Sequence, residues 1–137
     1  MAEHRGATSA ETFDRFRRAV NNTTAASGHM PAWLGEVVVH AQDIRRPLGI
    51  DRTPSVDALT AVATFFVSRD FTVASRTAAR GLRLEATDGP FRHGDGPLAR
   101  GKTVALTMAL AGRESYCDDL DGPGAATLRD RCRPGVE

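Results

Sequence analysis

Lysine is nearly missing from this chain: 18 residues are basic, and Lys102 is the only one that is not arginine. That bias is the mark of a genome rich in G and C and says nothing direct about function. Cysteine is almost as scarce. Cys117 and Cys132 are the only two and lack C-x-x-C spacing, which implies neither a disulfide framework nor a zinc knuckle. They read as two ordinary thiols of a reducing cytosol. An excess of either charge is missing too, with 18 basic residues against 17 acidic ones. A net charge of +1 gives no broad footprint for nucleic acid or an anionic membrane. No apolar run nears the roughly 18 to 20 residues that cross a bilayer, and the N-terminus lacks the apolar stretch of a secretory signal. The expectation is a cytoplasmic protein with no membrane and no nucleic-acid partner.

What is present fits a single domain. The chain has 137 residues, 41% hydrophobic and 26% charged, enough to bury a core without disulfides. Residues 1–8 read as a loose tail. Residues 9–80 read as helical, beginning with a helix from Ser9 to about Ala26 that sets Phe13, Phe16 and Val20 on one face. Pro31 opens a second helix over 31–48, closed by Pro47 and Gly49. Ser55 caps a third, "TPSVDALTAVATFFVSR", and "DFTVASRTAAR" supplies a shorter one ending at Gly81. The period then changes. "GLRLEATD" alternates as a half-buried strand, "GPFRHGDGP" is turn chemistry, and "KTVALTMALAGR" is an amphipathic helix stopped by Gly112. "LDGPGAATLRDRC" reads as a short strand or a helical turn. Helices followed by a small α/β segment over 81–137 give an α+β fold.

Two stretches carry chemistry. Residues 96–103, "GPLARGKT", spell the phosphate-loop pattern G-x-x-x-x-G-K-[ST]. A working loop needs a buried strand before it, and "RHGDG" stands there instead, so Lys102 and Thr103 are expected on the surface of a helix's first turn. Nucleotide binding is the remote reading. In "EVVVHAQDIRRPLG", Glu36, His40 and Asp43 fall within an arc of about 60° on a helix. Trp33, Val37, Ala41, Ile44 and Leu48 form the adjoining face, expected to be the buried one. An acid and an imidazole four residues apart fit two readings: an exposed i,i+4 contact, or two ligands of one metal ion with Asp43 behind them or beside them. Arg45 and Arg46 read either as a solvated helix end or as cations for a carboxylate-bearing substrate.

"GEVVVHAQDIRRPLG", "GLRLEATD", "HGDGPLARG", "ALAGR" and "LDGPG", in that order, resemble the mycothiol-dependent maleylpyruvate isomerase family of DinB-like metal-binding helical bundles. The resemblance runs from about residue 12 to residue 130. It implies a partial helical bundle followed by a small α/β segment. It also implies a divalent metal, zinc by expectation, held by Glu36 and His40, with mycothiol or a similar thiol acting on an electrophilic substrate. The reaction would be an isomerisation or a transfer. Such proteins begin with a longer helical segment that supplies another ligating histidine, and this chain starts downstream of it. His4, His29, His93 and Asp43 are the candidate substitutes, with a non-catalytic truncated domain as the alternative. A bundle short of one helix would bare an apolar face, so a homodimer is expected.

Overall fold

The computed structural model describes residues 5–22, 28 and 30–133. The described elements are six helices, a 3₁₀ segment and a four-stranded sheet, so the fold is α+β as expected. Helix α1 covers Ser9–Ala19 and is capped by local bonds. Thr8 Oγ1 accepts from the Glu11 amide at 3.2 Å, and the Glu11 carboxylate accepts from the Ala7 amide at 2.7 Å, close to a capping box. No residue of α1 is buried; Phe13, Phe16 and Val20 are all exposed. The helix ends at Ala19 instead of near Ala26, and residues 23–27 lie outside the described residues.

Helix α2 (Met30–Arg45) packs on α3 (Val56–Ser68). In α3, Leu59, Val62, Ala63, Phe66 and Val67 recur on one stripe and are buried. Ser55 caps it as the sequence indicated, accepting from the Ala58 amide at 3.3 Å. Helix α4 is short, Ser75–Ala79. The sheet follows: β1 (Arg83–Ala86), β2 (Arg92–His93), β3 (Leu98–Gly101) and β4 (Leu120–Asp121), in the order β2-β1-β3-β4. Strands β1 and β3 run parallel, with Leu84 opposite Ala99, and the outer pairs are antiparallel. The last helix, α6, spans Pro123–Cys132.

Helix α5 (Thr103–Leu110) corrects one expectation. It is not amphipathic: seven of its eight residues are buried, all but Val104. It lies between α3 and the sheet, and one hydrophobic cluster joins α2 to α6 through it. A helix that is apolar all round is buried on all sides. Gly112, with φ +83°, ends the turn after it, as its position suggested.

The larger correction concerns α2. The helix ends at Arg45, which leaves Leu48 in the turn beyond it, and the face of Trp33, Val37 and Ile44 is exposed, Val37 to 68% and Ile44 to 62%. The buried residues are Gly35, Val38, Val39 and Gln42. Gly35 decides the matter: a Cβ there would stand 3.3 Å from two ring carbons of Phe66. Only the smallest residue lets α2 lie this close to the α3 ring, so the helix turns that face inward. The polar stripe of Glu36, His40 and Asp43 therefore runs between a buried face and an exposed apolar one.

Candidate functional site

Glu36 and His40 occupy successive turns of α2, and their side chains meet. His40 Nε2 lies 3.1 Å from Glu36 Oε2, while its Nδ1 lies 3.6 Å from Asp43 Oδ2, an ion-pair distance longer than a hydrogen bond. His40 is 66% exposed in its side chain and Glu36 42%. Both border a cavity of about 230 Å³ whose floor includes Gly35, Val39, Phe66, Val73 and Arg113. The donor atoms are thus neither turned apart nor sealed in the core.

Asp43 is already engaged. Arg113 donates to it twice, from Nη2 at 2.7 Å and from Nε at 3.1 Å, a bidentate pairing that fixes both planes. That guanidinium holds the Asp43 carboxyl below its usual range, against the opposing effect of burial. Asp43 in turn stands behind His40. A rigid carboxylate beside Nδ1 favours the ring orientation in which Nε2 faces Glu36. Arg113 was invisible as a partner in the sequence, 70 residues away from Asp43.

The donor types suit a borderline divalent ion, one imidazole nitrogen and one carboxylate oxygen, but catalytic zinc sites commonly use three protein ligands. Among the described residues no group of three His, Cys, Asp or Glu side chains could hold a metal ion. Of the substitutes considered, His4 and His29 lie outside the described residues, His93 sits on edge strand β2, and Asp43 is committed to Arg113.

The two arginines after the stripe do separate things. Arg45 reaches the Arg52 carbonyl at 3.4 Å. Arg46 stacks on the Tyr116 ring at 4.1 Å, bonds Asp119, and donates to the Ser115 carbonyl at 2.8 Å. Arg46 lines a second cavity of about 380 Å³ that shares no lining residue with the one beside His40. Its guanidinium ties α2 to the 3₁₀ segment Glu114–Asp119, a fastening role that neither sequence reading contained.

The phosphate-loop spelling resolves differently. Leu98–Gly101, which would have to curl around an anion, is extended strand β3, paired on both sides. Lys102 follows at the N-cap and is exposed. Thr103 corrects the surface expectation, for it is fully buried. Its amide donates to Asp88 Oδ1 at 2.8 Å and its hydroxyl at 2.6 Å. Asp88 thereby takes the place an anion would occupy at this helix start. The cysteines also sit closer than their sequence spacing suggests, with Sγ atoms 3.9 Å apart. The contact with Cys132, together with burial, pushes the Cys117 thiol up, while the bond from Cys117 draws Cys132 down.

Compared with known proteins, the chain matches no family model, no curated protein and no solved structure.

Proposed function

We propose that this chain carries two ligands of a divalent-metal site, Glu36 and His40, in a thiol-dependent isomerase or transferase-like protein of the class its motifs resemble. The observation that carries the reading is the convergence of Glu36 Oε2 and His40 Nε2 at 3.1 Å on the rim of a 230 Å³ cavity. Two lone-pair donors this close need a positive centre between them, either the imidazole proton or a metal ion. Zinc is the expected ion, and mycothiol or a similar small thiol the expected partner, with an electrophile as substrate. A divalent ion bound here would favour thiolate over thiol at neutral pH. The protein's own groups do the rest. Glu36 and His40 hold the position, Asp43 orients the imidazole, and Arg113 orients Asp43. Phe66, Val39 and Val73 give the cavity an apolar wall. No described helix is long and apolar enough to cross a membrane, and a cytoplasmic setting is part of the same proposal.

A second reading has its own observation. With Asp43 held by Arg113 and no third ligand among the described residues, the domain also suits a non-catalytic role in which the fold outlives the metal.

Zinc titration by calorimetry on the purified chain separates the two. The first reading expects near-stoichiometric binding, weakened at least tenfold by Glu36→Ala and by His40→Ala. It also expects affinity to rise with pH, because the ion displaces a proton. A folded protein that ignores zinc, or binds it equally well without His40, establishes the second.

A further inference from the structure

The only two thiols of the chain meet. Cys117 sits in the 3₁₀ segment Glu114–Asp119, Cys132 is the last residue of α6, and their sulfurs stand 3.9 Å apart. A disulfide bond is about 2.05 Å long, so the two atoms have about 2 Å left to close. Cys132 lies at a helix end, where the last turn frays and a step of that size is easiest.

The two elements are fastened on either side of this point. Arg129, one turn before Cys132, pairs with Asp118 at 2.7 Å, beside Cys117. Arg133, directly after Cys132, donates twice to Glu114, at 2.9 Å and 3.1 Å. The sulfurs therefore face each other in a register that other contacts also support.

The thiols are not equivalent. Cys117 is 1% exposed, whereas Cys132 is only partly buried, so a reagent from solvent reaches Cys132 first. The electrostatics agree. The bond from Cys117 draws Cys132 down, while that contact and burial hold Cys117 up. An accessible thiol of lowered pKa beside a second thiol is the arrangement of a redox-reactive cysteine with its resolving partner.

We propose that Cys132 and Cys117 form a dithiol site oxidised by a small-molecule disulfide, with Cys132 attacking and Cys117 resolving. The Cys132 thiolate attacks one sulfur of the oxidant RSSR, forming a mixed disulfide and releasing RS⁻. Cys117 then attacks Cys132 Sγ, the bond to the second R–S breaks, and that RS⁻ leaves. The two protons of the protein thiols go to the two released thiolates. One RSSR is thus reduced to two RSH for each protein disulfide formed. In the cytoplasmic setting proposed above the pair rests reduced and closes when the small-thiol pool is oxidised. The bridge spans 15 positions and ties α6 to the segment whose Ser115 and Asp119 hold Arg46 of α2. This site does not depend on the metal reading, and each stands or falls by its own measurement.

The test treats the reduced full chain, without denaturant, with excess oxidised glutathione and reads intact mass after alkylation. The wild type is expected to lose both free thiols and two hydrogen masses, to retain no glutathione, and to recover its thiols with dithiothreitol. Cys117→Ser should stop at one glutathione on Cys132, and Cys132→Ser should react about tenfold more slowly, with both folds checked by thermal melting. Oxidised wild type should melt several degrees above the reduced chain, because the cross-link restricts the unfolded state. The proposal is overturned by a wild type that keeps both thiols or stops at the mixed disulfide. A bridge that joins two chains on a non-reducing gel, or an oxidised chain that melts below the reduced one, also overturns it. Equal rates for the two serine variants would remove the assigned roles.

Discussion

Asp88 is the residue whose work is easiest to isolate. It follows β1 and receives both the amide and the hydroxyl of Thr103, the first residue of α5. Burial raises its pKa, but the two bonds from Thr103 outweigh that and leave it below the ordinary value. The helix it caps is the centre of the core, so the loss of one capping acceptor is felt globally. Replacing a capping aspartate by alanine costs about 0.5–2 kcal/mol in general, and Thr103 would also keep a buried hydroxyl without its partner. Asp88→Ala is therefore expected at the upper end, about 2 kcal/mol by urea denaturation. Asp88→Ala with Thr103→Val should cost less than the sum of the two single changes, because the two residues share one interaction. Additive losses would show that Asp88 caps nothing.

At the scale of elements, glycines set how closely the pieces meet. Gly124, near the start of α6, faces the backbone that leads into β3: an added Cβ would lie 2.5 Å from the Pro97 carbonyl oxygen and 2.9 Å from the Leu98 carbonyl carbon. Neither neighbour is a side-chain tip that can swing away. Gly124→Ala is expected to cost about 1–3 kcal/mol, the usual penalty of overpacking, and to lower Tm by several degrees. A melting curve unchanged from wild type would mean that α6 sits farther from β3 than this. The sequence leaves "LDGPGAATLRDRC" open between a short strand and a helical turn, and the structure has a strand, β4, followed by a ten-residue helix, α6. Why its second glycine has to be glycine is a matter of close approach, which no local pattern records. The same limit explains the inverted face of α2. "VVV" at 37–39 straddles both faces, and the bulkier residues, Trp33, Ile44 and Leu48, outvote Gly35 and Gln42 in any count of hydrophobicity. The contact that settles the face is Gly35 against Phe66, 31 positions away. By contrast, the i,i+4 meeting of Glu36 and His40 is local geometry and could be read directly, whereas the Asp43–Arg113 clamp could not.

Across the whole molecule, three aspartates whose carboxyls lie below their ordinary range join separate pieces. Asp43 ties α2 to the segment after α5, Asp70 ties the end of α3 to α4 through Thr77, and Asp88 ties β1 to α5. The causes differ: the Arg113 bond dominates at Asp43, the Thr77 amide at Asp70, and at Asp88 burial opposes the Thr103 bonds without prevailing. A carboxyl lowered by folding contributes stability that is fully present above its unfolded pKa, about 3.9. That contribution fades as pH falls through the lower folded value. Stability should hold level from neutral pH to about 5 and then decline steeply. The site goes with it, since protonating Asp43 releases Arg113 and the support behind His40. Asp43→Asn separates this clamp from the other two. Urea midpoints measured from pH 7 to pH 2 are expected to show the variant below wild type at neutral pH, with the gap closing as acid neutralises the aspartate in the native chain. The Asp43–Arg113 pair is partly exposed, with side chains 35% and 30% accessible, so solvent screening keeps the gap modest, and 0.5 M salt should narrow it further. A gap of constant size at every pH would mean that Asp43 acts through its shape and not its charge, and the electrostatic account of how α2 presents Glu36 and His40 would fail.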